Sequence, residues 1–110
     1  MINFARCFNE HKNIKKVAEV AFKNQDVRKD VQRIKKRLEE GVDPINIGKK
    51  STNLPASGNI VLIKVKNTRC IVRDTGGGQF EILGVGARAN KFKMKTFAKV
   101  MKNVYDVDIK

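Results

Sequence analysis

The sequence predicts an α+β fold in the order β-α-α-β-β-β-α: a small antiparallel sheet, an N-terminal helical hairpin and a C-terminal helix, with the helices against one face of the sheet. Three observations predict it. Apolar residues recur at helical spacing between Ile14 and Leu38. β-Branched runs broken by two short turns follow between residues 59 and 86, and the helical period returns from Lys91. At 110 residues, one domain spanning 1–110 is the natural reading.

The elements follow in order. Ile2, Phe4 and Phe8 alternate with smaller or polar residues, so INFARCF (residues 2–8) reads as a short first strand. Ile14, Val17, Ala18, Ala21 and Phe22 make one helical face ending near Lys23. Asn24-Gln25-Asp26 then interrupts, with Asp26 placed to cap a second helix striped by Val27, Val31, Ile34 and Leu38. Arg28, Lys29, Arg33, Lys35, Lys36 and Arg37 occupy that helix's other faces. Gly41 is the expected residue just past its end, and Pro44 closes the stop signal. So short a connection predicts an antiparallel helix pair. Residues 42–58 read as loop, punctuated by Pro44, Gly48, Pro55 and Gly58. Strands are expected at 59–65, 69–74 and 79–86, joined by turns at Lys66-Asn67-Thr68 and Thr75-Gly76-Gly77-Gly78 as an antiparallel meander. The last helix takes Phe92, Phe97, Val100, Met101 and Val104 as its apolar set.

The 24 Lys and Arg outnumber 11 Asp and Glu, leaving a formal charge of +13 that attracts polyanions. Nucleic acid is the usual target, because phosphate neutralisation releases counterions. A membrane surface normally engages one amphipathic segment with Trp or Phe on its apolar face, and Trp is absent. Residues 1–50 carry 13 basic and 7 acidic groups and read as a solvated, salt-bridged surface. Residues 64–102 carry 10 basic groups against only Asp74 and Glu81, and read as a working surface. Apolar runs are too short to span a bilayer, and MINFARCFNEHK lacks the apolar stretch of a signal peptide. Cys7 and Cys70 lie far apart with a single histidine, His11, which excludes a zinc finger and argues against a disulfide scaffold. Both cysteines read as small packed apolar residues. A cytoplasmic protein without metal or cofactor is the expectation.

Specific residues add to this. The chain opens with a short strand bearing Phe4 and Phe8, then two helices, then a loop with Asp43-Pro44 and a Lys-rich stretch from Gly48-Lys49-Lys50 to Leu54. A hairpin follows in which Arg69 opens the second strand after the turn, within Lys64-Val65-Lys66-Asn67-Thr68-Arg69-Cys70. The last strand runs into a basic segment, Gly84-Val85-Gly86-Ala87-Arg88-Ala89-Asn90-Lys91. In order and spacing this resembles the RelE/ParE superfamily of toxins, in particular the RelE-like messenger RNA endonucleases. The resemblance implies a toxin silenced by a cognate antitoxin or immunity protein, with RNA, on the ribosome or free, as target. Related folds include gyrase-inhibiting ParE-type toxins and transfer RNA nucleases paired with immunity proteins. RelE-like enzymes often carry a Tyr or His shortly after the last strand, whereas Lys91-Phe92-Lys93-Met94-Lys95 here has neither.

Metal-free RNA cleavage needs a base for the 2′-hydroxyl, cations for the crowded phosphorus centre and an acid for the leaving oxygen. A guanidinium fork suits the phosphate oxygens, and electrostatic stabilisation often contributes more to the rate than any other effect. Arg69 and Arg88 are the expected stabilisers, with Lys64 or Lys91 as acid or base where neighbouring cations lower a lysine pKa. Lys66, Arg73, Lys93, Lys95 and Lys99 are the expected phosphate contacts. Each has a plainer alternative. Lys64 alternates with Ile63 and Val65 as an outward strand residue would, Arg69 can pair with Asp74, and the helix lysines suit a solvated face. The Asp74-to-Gly78 stretch reads as a hairpin turn, since it lacks the ending of a phosphate-binding loop.

Overall fold

The structure is a computed structural model describing residues 2–49, 51–54, 59–88 and 91–109, with the side chains of Cys7, Asn9, Lys91, Phe92 and Lys93 outside the described set. Ile2–Phe4 forms β1, Arg6–Glu10 forms α1, Lys12–Ala21 forms α2 and Gln25–Glu39 forms α3. A 3₁₀ turn at Pro44–Asn46 precedes β2 (Thr52–Asn53), β3 (Ile60–Val65), β4 (Thr68–Gly76), β5 (Gln79–Ala87) and α4 (Lys91–Tyr105). The fold is α+β, with a mixed sheet in the order β1-β5-β4-β3-β2.

Several expectations need correction. The first strand stops at Phe4, and the chain turns directly into α1, where the Phe8 amide donates to the Ala5 carbonyl. Phe8 follows Phe4 by four residues, and the two rings stack with centroids 4.5 Å apart. Phe8 belongs to α1 and not to the strand that holds Phe4. The sheet is not a pure meander either. β1 pairs in parallel with β5, and the segment read as loop contributes β2, antiparallel to β3 through Thr52–Leu62 and Asn53–Val61. Finally, Asn24 rather than Asp26 caps α3, its Oδ1 accepting from the Asp26 amide at 2.8 Å. Elsewhere His11 caps α2 by accepting from the Ile14 amide, and Gly41 ends α3 with φ +87°.

Helices cover both faces of the sheet, not one: α2 packs with α4 against β5 while α3 lies against β4, so α2 and α3 do not pack as the expected helical hairpin. Side chains alternate across a strand, and the Thr68 hydroxyl donates to Asp30 of α3 at 2.8 Å. Thr68, Cys70 and Val72 therefore face α3, where Lys35 also lies over the Phe4 ring. Arg69 and Ile71 point the other way, beside Gly86 and Gly84. A β-carbon on Gly84 would stand 2.7 Å from Met101 and 2.9 Å from Phe97, so α4 packs directly on bare backbone there. Phe97, Val100 and Met101 are buried as the sequence predicts, while Phe92 is outside the described side chains. Covered on both sides, Ile60–Ile63 and Cys70–Val72 are buried without alternation. Cys70 is a free thiol whose pKa burial pushes up to about 12; the Cys7 side chain lies outside the described set. No helix among the described residues is long and apolar enough to cross a membrane.

Candidate functional site

The β3–β4 hairpin turns through only Lys66 and Asn67, because Val65 and Thr68 are register partners. Lys66 takes φ +53°, the left-handed region that side-chain-bearing residues seldom enter. The side chain of Arg69 braces the turn. The Arg69 guanidinium donates from Nη1 to the Lys66 carbonyl at 2.8 Å and to the carbonyl of Thr68 at 3.1 Å. Arg69 is thus buried along its stem and fixed at its tip. Lys64 sits directly across the ladder from it and Gly86 on its other side. The Arg88 amide donates to the Asn67 carbonyl at 2.6 Å, which ties the end of β5 to the same turn.

A loop closes the other wall. Gly48 bridges Lys64 in parallel, the Lys49 amide donates to the Lys64 carbonyl at 3.1 Å, and the Lys64 amide donates to Ser51 Oγ at 3.0 Å. The Ser51 hydroxyl in turn donates to the Ile47 carbonyl. Gly48 has φ +75°, and a β-carbon there would lie 2.0 Å from the Lys64 oxygen. Only glycine lets the loop come this close.

Between these walls lies a cleft of 680 Å³ lined by Gly48, Lys49, Lys64, Val65, Lys66, Arg69 and Arg88. Among the described residues its lining carries five cationic side chains and no carboxylate. Burial, and then the nearby charge of Arg88, hold Arg69 below the ordinary arginine pKa. The cleft is therefore electrostatically uncompensated, as a site for a phosphate or other anion would be.

Three of the four residues expected to do chemistry, Lys64, Arg69 and Arg88, meet in this cleft, as does Lys66 from the expected phosphate contacts. The side chains of Lys91 and Lys93 lie outside the described residues. Arg73 does not join. It lies two ladder positions beyond Ile71 from the cleft and pairs with Glu81, its register partner, at 2.6 Å. Lys95 and Lys99 are exposed on α4 and do not line the cleft. Arg69 does not pair with Asp74, whose Oδ1 accepts from the Gly76 amide instead. Gly76, Gly77 and Gly78 all adopt positive φ, as a tight hairpin end requires. Lys49 is not among the expected site residues; the sequence shows it only within the Lys-rich stretch that follows Gly48, 15 residues from Lys64 in an apparent loop. Among the described residues no group of three His, Cys, Asp or Glu side chains gathers where a metal could bind. No protein-family model, curated protein or solved structure matches the chain.

Proposed function

We propose that this protein is a metal-independent endoribonuclease acting as the toxin of a toxin-antitoxin pair, with the Lys64–Arg69–Arg88 cleft as its active site. One observation carries the reading. Cations read separately from the sequence as transition-state stabilisers converge in a single cleft with no acidic residue among the described ones to neutralise them. The Arg69 and Arg88 guanidiniums grip the scissile phosphate and stabilise the charge that builds on its oxygens. The 2′-oxygen bonds to phosphorus as the P–O5′ bond breaks, leaving a 2′,3′-cyclic phosphate and a 5′-hydroxyl. Lys64, directly across the ladder from Arg69, takes the 2′-hydroxyl proton or supplies the one the 5′-oxygen gains, and water exchanges the other. Part of the rate comes from holding the strand in line, by the protein alone or by a ribosome presenting the message. A cognate antitoxin of acidic character covers the cleft in the resting cell.

RNA cleavage in EDTA, with and without translating ribosomes, tests this. Arg69→Ala and Arg88→Ala should each slow cleavage by about 10²- to 10³-fold, the usual effect of removing one donor at a developing oxyanion. If both variants cleave like the wild type, the assignment is wrong. A second reading, a binding toxin without cleavage such as a gyrase inhibitor, draws on the cleft's titratable groups being Lys and Arg alone among the described residues. It predicts tight polyanion binding with no product under any condition.

A further inference from the structure

The cleft does not end at its own rim. Gly48 and Val65, which form one of its walls, also line a second groove of 280 Å³ whose other residues include Arg33, Arg37 and Asn46. Arg33 and Arg37 line a third hollow beyond it, together with Lys36 and Glu40. Read from sequence, these α3 cations belong to a salt-bridged surface. Among the described residues none of the three forms an ion pair; the pairs are Arg6–Glu10, Arg73–Glu81 and Lys102 with Asp106 and Asp108. Arg33 and Arg37 are four apart, on one face of α3 and about 6 Å along its axis. That rise is comparable with the spacing of successive phosphates in an extended nucleotide chain. The wall between the grooves is braced against β3, because the Lys49 amide donates to the Lys64 carbonyl and the Lys64 amide donates to Ser51 Oγ. The two sites therefore hold a fixed mutual geometry.

On the reading proposed above, we infer that the α3 groove is a second RNA subsite, in which Arg33 and Arg37 bind backbone phosphates of the strand whose scissile bond lies in the cleft. Among the described residues no aromatic side chain lines either groove, so bases are not stacked and the contact is with the backbone. It adds affinity for length without adding preference for sequence.

The test measures binding of fluorescent 2′-O-methyl oligouridines, which lack the attacking hydroxyl, at two lengths: a trinucleotide and a strand of about twelve nucleotides. Arg33→Gln/Arg37→Gln should bind the long strand about tenfold more weakly than wild type, the loss of two charge-assisted phosphate contacts. Its trinucleotide affinity should stay within about twofold. Lys12→Gln/Lys16→Gln removes the same charge at the same spacing from exposed positions of α2 and should bind both lengths like wild type. Equal weakening by both double variants reduces the effect to general charge and overturns the subsite. So does an unchanged long-strand affinity in the α3 variant, which leaves that groove to an acidic protein partner. Arg69→Ala separates the two ideas: if it binds both lengths like wild type, the cleft itself is not an RNA site and the underlying reading fails.

Discussion

Arg69 carries two demands that a functional and a structural role would settle differently. Its Nη1 satisfies the Lys66 and Thr68 carbonyls, each bond contributing about 1 kcal/mol. Against that stand the burial of a cation and the proximity of Arg88, which together depress its pKa. Neutral replacement removes both penalties, and the Lys66 carbonyl, in an exposed turn, can accept from water. Arg69→Met is therefore expected to leave urea-denaturation stability within about 1 kcal/mol of wild type. Cleavage should fall by the two to three orders of magnitude given above. A stability loss beyond about 3 kcal/mol would make Arg69 a scaffold residue instead. Retention of a destabilised charge is what a site under functional demand leads one to expect.

At the scale of elements, the joint between α3 and β4 decides how firmly Arg69 is presented. Asp30 and Thr68 are both buried, and their bond is the polar contact seen across that interface. Thr68→Val keeps the shape but leaves a buried carboxylate without its donor, which should destabilise by about 1–3 kcal/mol. Asp30→Leu/Thr68→Val should be much less harmful than the two single losses combined, a coupling that a double-mutant cycle in urea detects. Additivity would show that the pair is incidental. The elements themselves were legible wherever an apolar stripe or run ended in a clear turn and the partner was close in sequence. The α2 and α3 stripes and the β3–β4 and β4–β5 hairpins emerged with small boundary errors. In β5 the apolar spacing slips from Phe80 and Ile82 to Val85, an odd step, and the structure places an irregularity there: Val72 pairs with Ile82 but Ile71 with Gly84. A bulge of this kind inserts one residue and shifts the alternation. What was not legible depends on distant partners. Nothing local in Ile2–Phe4 says that it will pair in parallel with β5, some 78 residues on. Thr52–Asn53 is too short to show a period at all.

For the whole molecule, the question is whether +13 acts as a diffuse field or through placed contacts. The site was half legible for the same reason as the fold. Lys64 and Arg69 are ladder partners and Arg88 follows the end of β5 beside them, all three joined through hairpins that the sequence announces. Lys49 reaches the same region because Gly48 and Lys49 lie along β3, and Arg33 and Arg37 because α3 shares a groove with Gly48 and Val65. The 13 basic and 7 acidic groups of residues 1–50 read as a salt-bridged surface, yet among the described residues the acids of that stretch do not pair with Lys49, Arg33 or Arg37. Salt dependence distinguishes field from contact. For single strands, each neutralised phosphate contributes about −0.7 to the slope of log K against log salt. A short non-cleavable RNA seated on the five cleft cations should give a slope of about −3.5, and Arg88→Ala should make it shallower by about 0.7. Arg88 suits this test because its side chain is exposed and its backbone bond to Asn67 survives the substitution. A diffuse field predicts something else: removing one charge of thirteen changes the slope by less than the measurement resolves, wherever that charge sits. Lys12→Ala, at a residue that lines none of the three hollows described above, supplies the comparison. Equal slopes for the Arg88 and Lys12 variants would mean that RNA is held by net charge alone, and the cleft would lose its claim as the place where the phosphate sits.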